Sequence, residues 1–173
     1  MTKIEVSLSE QGVDRAIKQL QDYKKSIKEK SQLLVEKLGD FGLQVCRAKV
    51  IEMDISDTGR LLSTITGYYS PHLNSGFITV DCEYAVFVEF GTGTRGVGKP
   101  YPAGEIMAEV GYHYMGGTKY VTLLDGRIGW YYPAGDGTWR FTEGLPSRPF
   151  MYETALELER QYAKVAKEVF GRK

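Results

Sequence analysis

A helical pattern of more than forty residues near the start of this sequence is its strongest constraint. No proline occurs between Ser9 and Met53, and apolar residues recur there at steps of three and four. Such a stripe lies along one face of an α-helix. A helix of this length is about 60 Å long, whereas a compact chain of this size is about 40 Å across. The helix therefore either breaks or projects from the body toward another subunit.

A break in this helix is the favoured interpretation. The run 22–32 is polar, with Ile27 as its only aliphatic residue, and Gly39 and Gly42 offer two further points for a kink. The alternative is a continuous helix that projects from the body. That alternative requires an oligomer, because the projecting apolar side chains need another chain to cover them.

Short strands are predicted on both sides of the helix. Alternating apolar and polar residues over 3–8 predict one strand, and Ser7 or Ser9 then supplies the N-cap of the helix. Downstream, 61–69 and 77–80 are rich in β-branched and aromatic residues and flank a polar loop. This arrangement is typical of a β-hairpin with a longer loop.

The second half of the chain predicts further hairpins and a C-terminal helix. A compact apolar run at 84–90 comes first, and two Asp-Gly turn signals then separate strand-like segments at 119–124, 128–132 and 139–142. From Pro149, apolar residues again follow helical spacing up to Gly171. The predicted fold class is α+β, with a long N-terminal helix and a C-terminal helix packed on a small, mostly antiparallel sheet.

Composition excludes several classes of protein. Of 173 residues, 42% are hydrophobic and 25% are charged, which is ordinary for a globular domain and excludes wholesale disorder and a membrane-spanning bundle. Lys plus Arg and Asp plus Glu number 22 each, so no basic excess supports binding by phosphate neutralisation. Met1 is not followed by an apolar segment, so synthesis in the cytoplasm is expected.

Candidate catalytic and nucleotide-binding residues are few. His72 and His113 are the only histidines, and neither lies in a motif for a nucleophilic triad. Gly91, Gly93 and Gly96 match a dinucleotide-binding spacing. No helix is expected after them, so a tight turn with positive φ at glycine is the favoured interpretation.

Carboxylates and cysteines provide no clearer site. A carboxylate pair for glycoside chemistry is one alternative, drawn from Asp81, Glu83 and Glu89, although solvated carboxylates are favoured. Cys46 and Cys82 are too few and too far apart for a disulfide framework or a zinc motif. We therefore expect no catalytic residue, no cofactor and no metal, and predict that the protein is not an enzyme.

Glycine and aromatic residues are concentrated between Gly91 and Gly144, a region that holds both tryptophans. A small hairpin core is the first interpretation of the bulky residues there, a subunit or partner interface is the second, and stacking on sugar rings is the third. The candidate partner-contact residues are Trp130, Tyr131, Tyr132 and Trp139.

Three separated motifs resemble a known family. They are Asp-Thr-Gly-Arg-Leu-Leu-Ser-Thr-Ile at 57–65, Tyr-Ala-Val-Phe-Val-Glu-Phe-Gly-Thr-Gly at 84–93 and Gly-Leu-Pro-Ser-Arg-Pro-Phe-Met at 144–151. In this order the chain is similar to the tail-completion, or head-tail joining, minor structural proteins of long-tailed bacteriophages and prophages. The motif residues that the resemblance marks as interface candidates are Thr58, Gly59, Leu61, Tyr84, Glu89, Gly91, Thr92, Gly93, Pro146, Arg148, Pro149 and Phe150.

The resemblance departs from the family pattern in two places. Thr64 stands where serine is usual, and 95–143 is a hairpin insert longer than in the simplest members. The insert resembles a subgroup from phages of Gram-positive hosts. Arg148 is expected to pair with a carboxylate, and Glu89 of the same or the next subunit is the suggested partner.

By this resemblance, residues 1–173 form a single neck domain that acts in tail completion and head-tail joining. It implies a ring subunit in the virion, assembled in the host cytoplasm, which can stay monomeric in isolation. Its partners would be phage connector and tail proteins, with no sequence-specific nucleic acid binding and no membrane. The alternatives are a tail terminator protein, or a host- or glycan-recognition module that uses the aromatic hairpins.

Overall fold

The structure, a computed structural model, describes residues 6–7, 9–55, 59–117 and 119–171. It confirms the α+β class, with two terminal helices and two small antiparallel sheets. Most of the strand predicted over 3–8 lies outside the described residues. The elements in chain order are α1 Glu10–Glu52, α2 Arg60–Ser63, β1 Ile65–Ser70, β2 Ser75–Val80, α3 Ala85–Phe90, α4 Gly93–Gly98, α5 Gly104–Glu109, β3 Val121–Thr122, β4 Ile128–Pro133, β5 Trp139–Thr142 and α6 Phe150–Gly171.

The long helix α1 is continuous over 43 residues, so the favoured break was wrong. Ser9 is the N-cap, and its hydroxyl oxygen accepts a hydrogen bond from the Gly12 amide at 3.2 Å. Gly42 is a point of close approach instead of a kink, because a Cβ there would lie 3.0 Å from Leu158 and closer still to Ile78. The polar run 22–32 remains helical as an exposed segment.

Helix α6 runs antiparallel to α1 and covers only part of it. The thiol of Cys46 lies 3.6 Å from the sulfur of Met151, and Leu158 packs beside Gly42, one turn earlier in α1. With 22 residues, α6 is about 33 Å long, whereas the 43 residues of α1 span about 64 Å. Because α6 begins opposite Cys46, it reaches back to about residue 26, and the part of α1 before that point extends beyond the end of α6.

The main core lies where α1, α6 and the β1–β2 hairpin meet. Its buried members are Cys46, Val50, Ile55, Leu61, Ile65, Val88 and Phe150. The hairpin is confirmed, with Ile65 opposite Val80 and Ser70 opposite Ser75. The strand predicted over 61–69 begins later than expected, because its first residues form the single helical turn α2.

The insert contains a separate three-stranded sheet in the order β3-β4-β5, which confirms both predicted hairpins. The absence of helix after the glycine-rich turn was predicted wrongly, since α4 and α5 lie there. Hydrogen bonds from Gly96 N to Thr92 O and from Lys99 N to Arg95 O form the turns of α4. Glycine has a low helix propensity, which tertiary packing overrides in this segment. None of the helices in the described ranges is long and apolar enough to cross a membrane.

Candidate functional site

The three motifs that carry the family resemblance meet in the main core. Leu61 of the first motif, Val88 of the second and Phe150 of the third belong to one buried cluster. Gly59 takes a φ of +72° immediately before α2, a conformation that favours glycine. Thr58 lies outside the described residues. The motifs are therefore neighbours in space although up to ninety positions separate them.

The second and third motifs are joined directly by backbone hydrogen bonds. Thr92 N donates to Leu145 O at 2.8 Å, and Leu145 N donates back to Thr92 O at 3.1 Å. The hydroxyl of Ser147 donates to the Glu89 carbonyl at 2.8 Å. Gly91 ends α3 with a φ of +83°, a conformation that favours glycine. We call this assembly of residues 88–93 and 144–152 the motif junction.

Glu89 occupies the centre of the motif junction and is only 7% exposed. One carboxylate oxygen accepts from Met151 N at 2.9 Å and the other from Tyr152 N at 3.0 Å. These amides belong to the first turn of α6, whose N–H groups have no partner within the helix. Burial raises the pKa of Glu89, while the hydrogen bonds from these amides and from Tyr101 act in the opposite direction. Glu89 therefore anchors the start of α6.

The ion pair predicted between Glu89 and Arg148 is not formed within the chain. The Arg148 guanidinium donates to the Asp54 carbonyl at 3.3 Å, and its amide donates to Val88 O. Within one chain the prediction was wrong, because the α6 N-terminus supplies the positive partial charge that it assigned to Arg148. Pairing of Arg148 with a carboxylate of the next subunit stays a prediction.

The remaining motif candidates also serve the local fold. Tyr84 precedes α3, and its carbonyl accepts from Phe87 N and Val88 N. Pro149 immediately precedes α6, and its carbonyl accepts from Glu153 N at 2.9 Å, close to the predicted first-turn position. Pro146 lies half-buried between the junction residues Leu145 and Ser147. These contacts hold the motifs together within the chain, and a direct contact of their residues with a partner stays a prediction.

A large concave surface opens beside the motif junction, with a volume of about 800 Å³. We call it the aromatic cleft. Trp130 and Tyr132 line it, whereas Tyr131 and Trp139 do not. The other aromatic side chains in its lining are Tyr84, Phe87, Tyr112, His113, Tyr114 and Tyr120.

The aromatic cleft presents ring surfaces and few free polar groups. Tyr112 donates its hydroxyl to Gly91 O at 2.6 Å, and Tyr120 donates to Tyr114 O at 3.3 Å. The Tyr114 hydroxyl accepts from Tyr101 N at 2.7 Å. Burial raises the pKa of Tyr112 to about 12, so this ring stays neutral at physiological pH. The cleft therefore suits an apolar group.

The four partner-contact candidates have different surroundings. Trp130 is half-buried and packs edge-on against Tyr120 at 5.6 Å between ring centroids, as in the predicted hairpin core. Tyr131, Tyr132 and Trp139 are exposed, and Trp139 most of all at 68%. Tyr131 also packs edge-on against Phe141 of the same hairpin, at 5.5 Å between ring centroids. The hairpin core therefore accounts for Trp130 and for one face of Tyr131, whereas Tyr132 faces the cleft and Trp139 faces solvent.

Phe87, Tyr112, Tyr114 and Tyr120 are cleft residues that the sequence interpretation did not single out. For the three tyrosines the signal in the sequence is the accumulation of tyrosine between Gly91 and Gly144, and Phe87 lies in the apolar run 84–90. The number of tyrosines alone does not predict which of their side chains line the aromatic cleft together. Here α3, the loop after α5 and strand β4 supply the walls together.

The structure also locates the residues considered for catalysis or metal binding. His72 is exposed in the β1–β2 loop, and His113 is exposed at the cleft. Cys46 is buried in the core and Cys82 is half-buried, and both are free thiols. In the described part of the chain, no group of three or more His, Cys, Asp or Glu side chains could hold a metal ion.

Comparison with known proteins adds no family assignment, because the chain matches no family model, no curated protein and no solved structure.

Proposed function

We propose that this protein is a virion structural protein that acts in phage tail completion and head-tail joining, as a subunit of a ring at the neck. The three-motif resemblance supplies the class of function. Its partners would be the connector and tail proteins on either side of the ring. The protein works by shape and interface, without catalysis.

The main structural support for an assembly role is an exposed apolar face on α1. Five apolar side chains at helical spacing are 38% to 54% exposed along the part of α1 that extends beyond α6 and at its border. We call this face the α1 stripe; its members are Val13, Ile17, Leu20, Tyr23 and Ile27.

A helix that projects into water without packing is marginally stable, because most helical stability in proteins comes from burial of an apolar face. Contiguous exposed apolar surface marks an interaction site. The α1 stripe is therefore the surface that a neighbour in the assembled neck would cover. This interpretation also explains why the helix can be longer than the body of the protein.

Deletion of the gene from its phage or prophage tests the function. We expect DNA-filled heads and complete tails that remain separate in electron micrographs, and restoration of joined virions by the wild-type gene in trans. Joined, infectious virions in the deletion strain would contradict the proposal. Tails of irregular or excessive length would favour the tail terminator alternative instead.

Substitutions in the α1 stripe test the interface. We expect Leu20→Gln/Ile27→Gln to fold normally, because both side chains are exposed, but to restore few joined virions. Each lost apolar contact weakens association by about 1.5 kcal/mol or more, so the pair reduces assembly by roughly 100-fold.

The matched control places the same two glutamines at the same seven-residue spacing on the opposite face of α1. Lys18→Gln/Lys25→Gln fulfils this condition, and both lysines are exposed. We expect this control to restore joined virions at near wild-type levels. Equal complementation by both double variants would show that the stripe is not an assembly surface.

A glycan-recognition role has weaker support. Among the described residues that line the aromatic cleft, none is Asp, Glu, Asn, Gln, Lys or Arg. Sugars need several polar groups to fix their hydroxyls in addition to a stacking ring. We therefore favour the assembly role.

A further inference from the structure

The aromatic cleft has a chemistry that the neck function alone does not explain. The hydroxyls of Tyr112, Tyr114 and Tyr120 are already engaged within the chain. Apart from the tyrosines, His113 is the one titratable side chain among the described residues of the lining. The described lining offers no Lys or Arg to a phosphate or a carboxylate and no Asp or Glu to a cation. The cleft accepts an uncharged, apolar group.

The same chain carries such a group on the turn between β3 and β4. We call residues 123–127 the hairpin tip. Leu124 at this tip is fully exposed, with a relative exposure of 111%. The side chain therefore makes no stabilising contact within its own chain, and its apolar surface is entirely in water.

Hydrogen bonds hold the hairpin tip in one conformation. Gly126 N donates to Leu123 O at 2.9 Å, and Leu123 N donates to Arg127 O at 2.9 Å. The Asp125 carboxylate accepts from Arg127 N at 3.1 Å and from Arg127 Nε at 2.9 Å. Gly126 has a φ of +85°, as a short hairpin turn of this kind requires. Presenting Leu124 therefore costs little conformational entropy on binding.

We propose that the hairpin tip of one copy of this chain docks in the aromatic cleft of a second copy, with Leu124 as the inserted side chain. The contact joins two different surfaces and is therefore heterologous, and repetition of such a contact generates a ring when the rotation closes. This inference rests on the proposed neck function, for which it supplies the contact between ring subunits.

Charge and reach both fit this pairing. Asp125 and Arg127 neutralise each other within the tip, so an uncharged surface meets an uncharged cleft. Val121 pairs with Gly129 at the base of the hairpin, next to the cleft residues Tyr120 and Trp130. The tip projects about 10 Å past this pair, at about 3.3 Å per residue. Leu124 does not line the cleft of its own chain and is fully exposed, so it is accessible to a second chain.

Sedimentation of purified protein over a range of concentrations tests the contact. We expect the wild type to self-associate and Leu124→Asp to associate at least about tenfold more weakly. Gly135→Asp is the matched control, because it adds the same charge on the neighbouring β4–β5 turn, where a side chain has open space. A wild type that stays monomeric at every concentration, or equal effects of the two variants, would overturn the proposal.

A cleft variant completes the test from the other side. Phe87→Glu places a carboxylate in the cleft lining on α3, and Phe87 is 45% exposed and outside both core clusters. Val86→Glu on the same helix is 41% exposed, does not line the cleft and serves as the control. We expect Phe87→Glu, and not Val86→Glu, to weaken association at least about tenfold.

Mixing the two defective chains identifies the heterologous contact. Leu124→Asp keeps an intact cleft and Phe87→Glu keeps an intact tip, so one productive contact remains between them. We expect each variant alone to be monomeric and the mixture to form one-to-one dimers that grow no further. Absence of these dimers, despite association of the wild type, would reject the pairing of tip and cleft.

The outcomes separate this inference from the proposed function. If the deletion strain leaves heads and tails unjoined but Leu124→Asp restores joining fully, the neck function stands and the tip-cleft contact is wrong. If virions form without the protein while the mixing experiment succeeds, the contact stands and the neck function is wrong.

Discussion

Replacing Glu89 with alanine is expected to lower the free energy of unfolding by about 2–4 kcal/mol. The substitution leaves the amides of Met151 and Tyr152 without acceptors in a largely buried position, at about 1–3 kcal/mol for each orphaned group. It also removes the negative charge from the N-terminus of α6, worth about 0.3–1 kcal/mol. Relief of the desolvation that raises the pKa of Glu89 offsets part of this loss. A urea titration followed by circular dichroism measures the difference.

Two further variants identify the cause of the loss. Glu89→Gln keeps one oxygen acceptor but turns an amide donor toward the second backbone N–H, so we expect an intermediate loss of about 1–2 kcal/mol. Glu83→Ala removes a carboxylate only six positions away whose ion pair with Arg60 is exposed, and such pairs contribute at most about 1 kcal/mol. If Glu89→Ala is no more destabilising than Glu83→Ala, Glu89 does not anchor α6.

Local pattern was sufficient to predict most elements of the fold. Helical spacing identified α1 and α6, and the Asp-Gly turns identified both hairpins of the insert, because these signals act over a few residues. The polar run 22–32, with Ile27 as its only aliphatic residue, favoured a break, and the continuity of α1 was therefore not predicted. Lysine, glutamate and glutamine have high helix propensity, so a polar run can stay helical while fully solvated.

The site was harder to predict because its contacts join distant parts of the chain. Glu89 is more than sixty positions away from the two backbone amides that donate hydrogen bonds to it. A helix N-terminus has no charged residue in the sequence that would suggest this pairing with Glu89. The aromatic cleft combines residues that are spread from Tyr84 to Leu145. Which tyrosines face one another there depends on how α4 and α5 fold, and neither helix was predicted.

This long-range packing also explains why glycine is required at some positions of this region and not at others. Gly93 begins α4 with a φ of +61°, and a Cβ there would collide with the carbonyl oxygen of Glu143 and lie 2.8 Å from the Trp130 ring. Gly98 ends the same helix with open space around its Cα. The two glycines therefore differ in surroundings while sharing one short element.

Gly93→Ala is expected to destabilise the protein by about 2–5 kcal/mol, whereas Gly98→Ala changes its stability by less than about 1 kcal/mol. The left-handed conformation costs an alanine about 1–2 kcal/mol, and the collision with a backbone carbonyl adds about 1–3 kcal/mol of overpacking. At Gly98 neither term applies, and alanine is the better helix former. Urea denaturation followed by tryptophan fluorescence measures both changes and also reports on the Trp130 environment. If Gly93→Ala and Gly98→Ala lower the free energy of unfolding by similar amounts, the packing of the second motif against residues 143–145 does not stabilise the attachment of the insert to the main core.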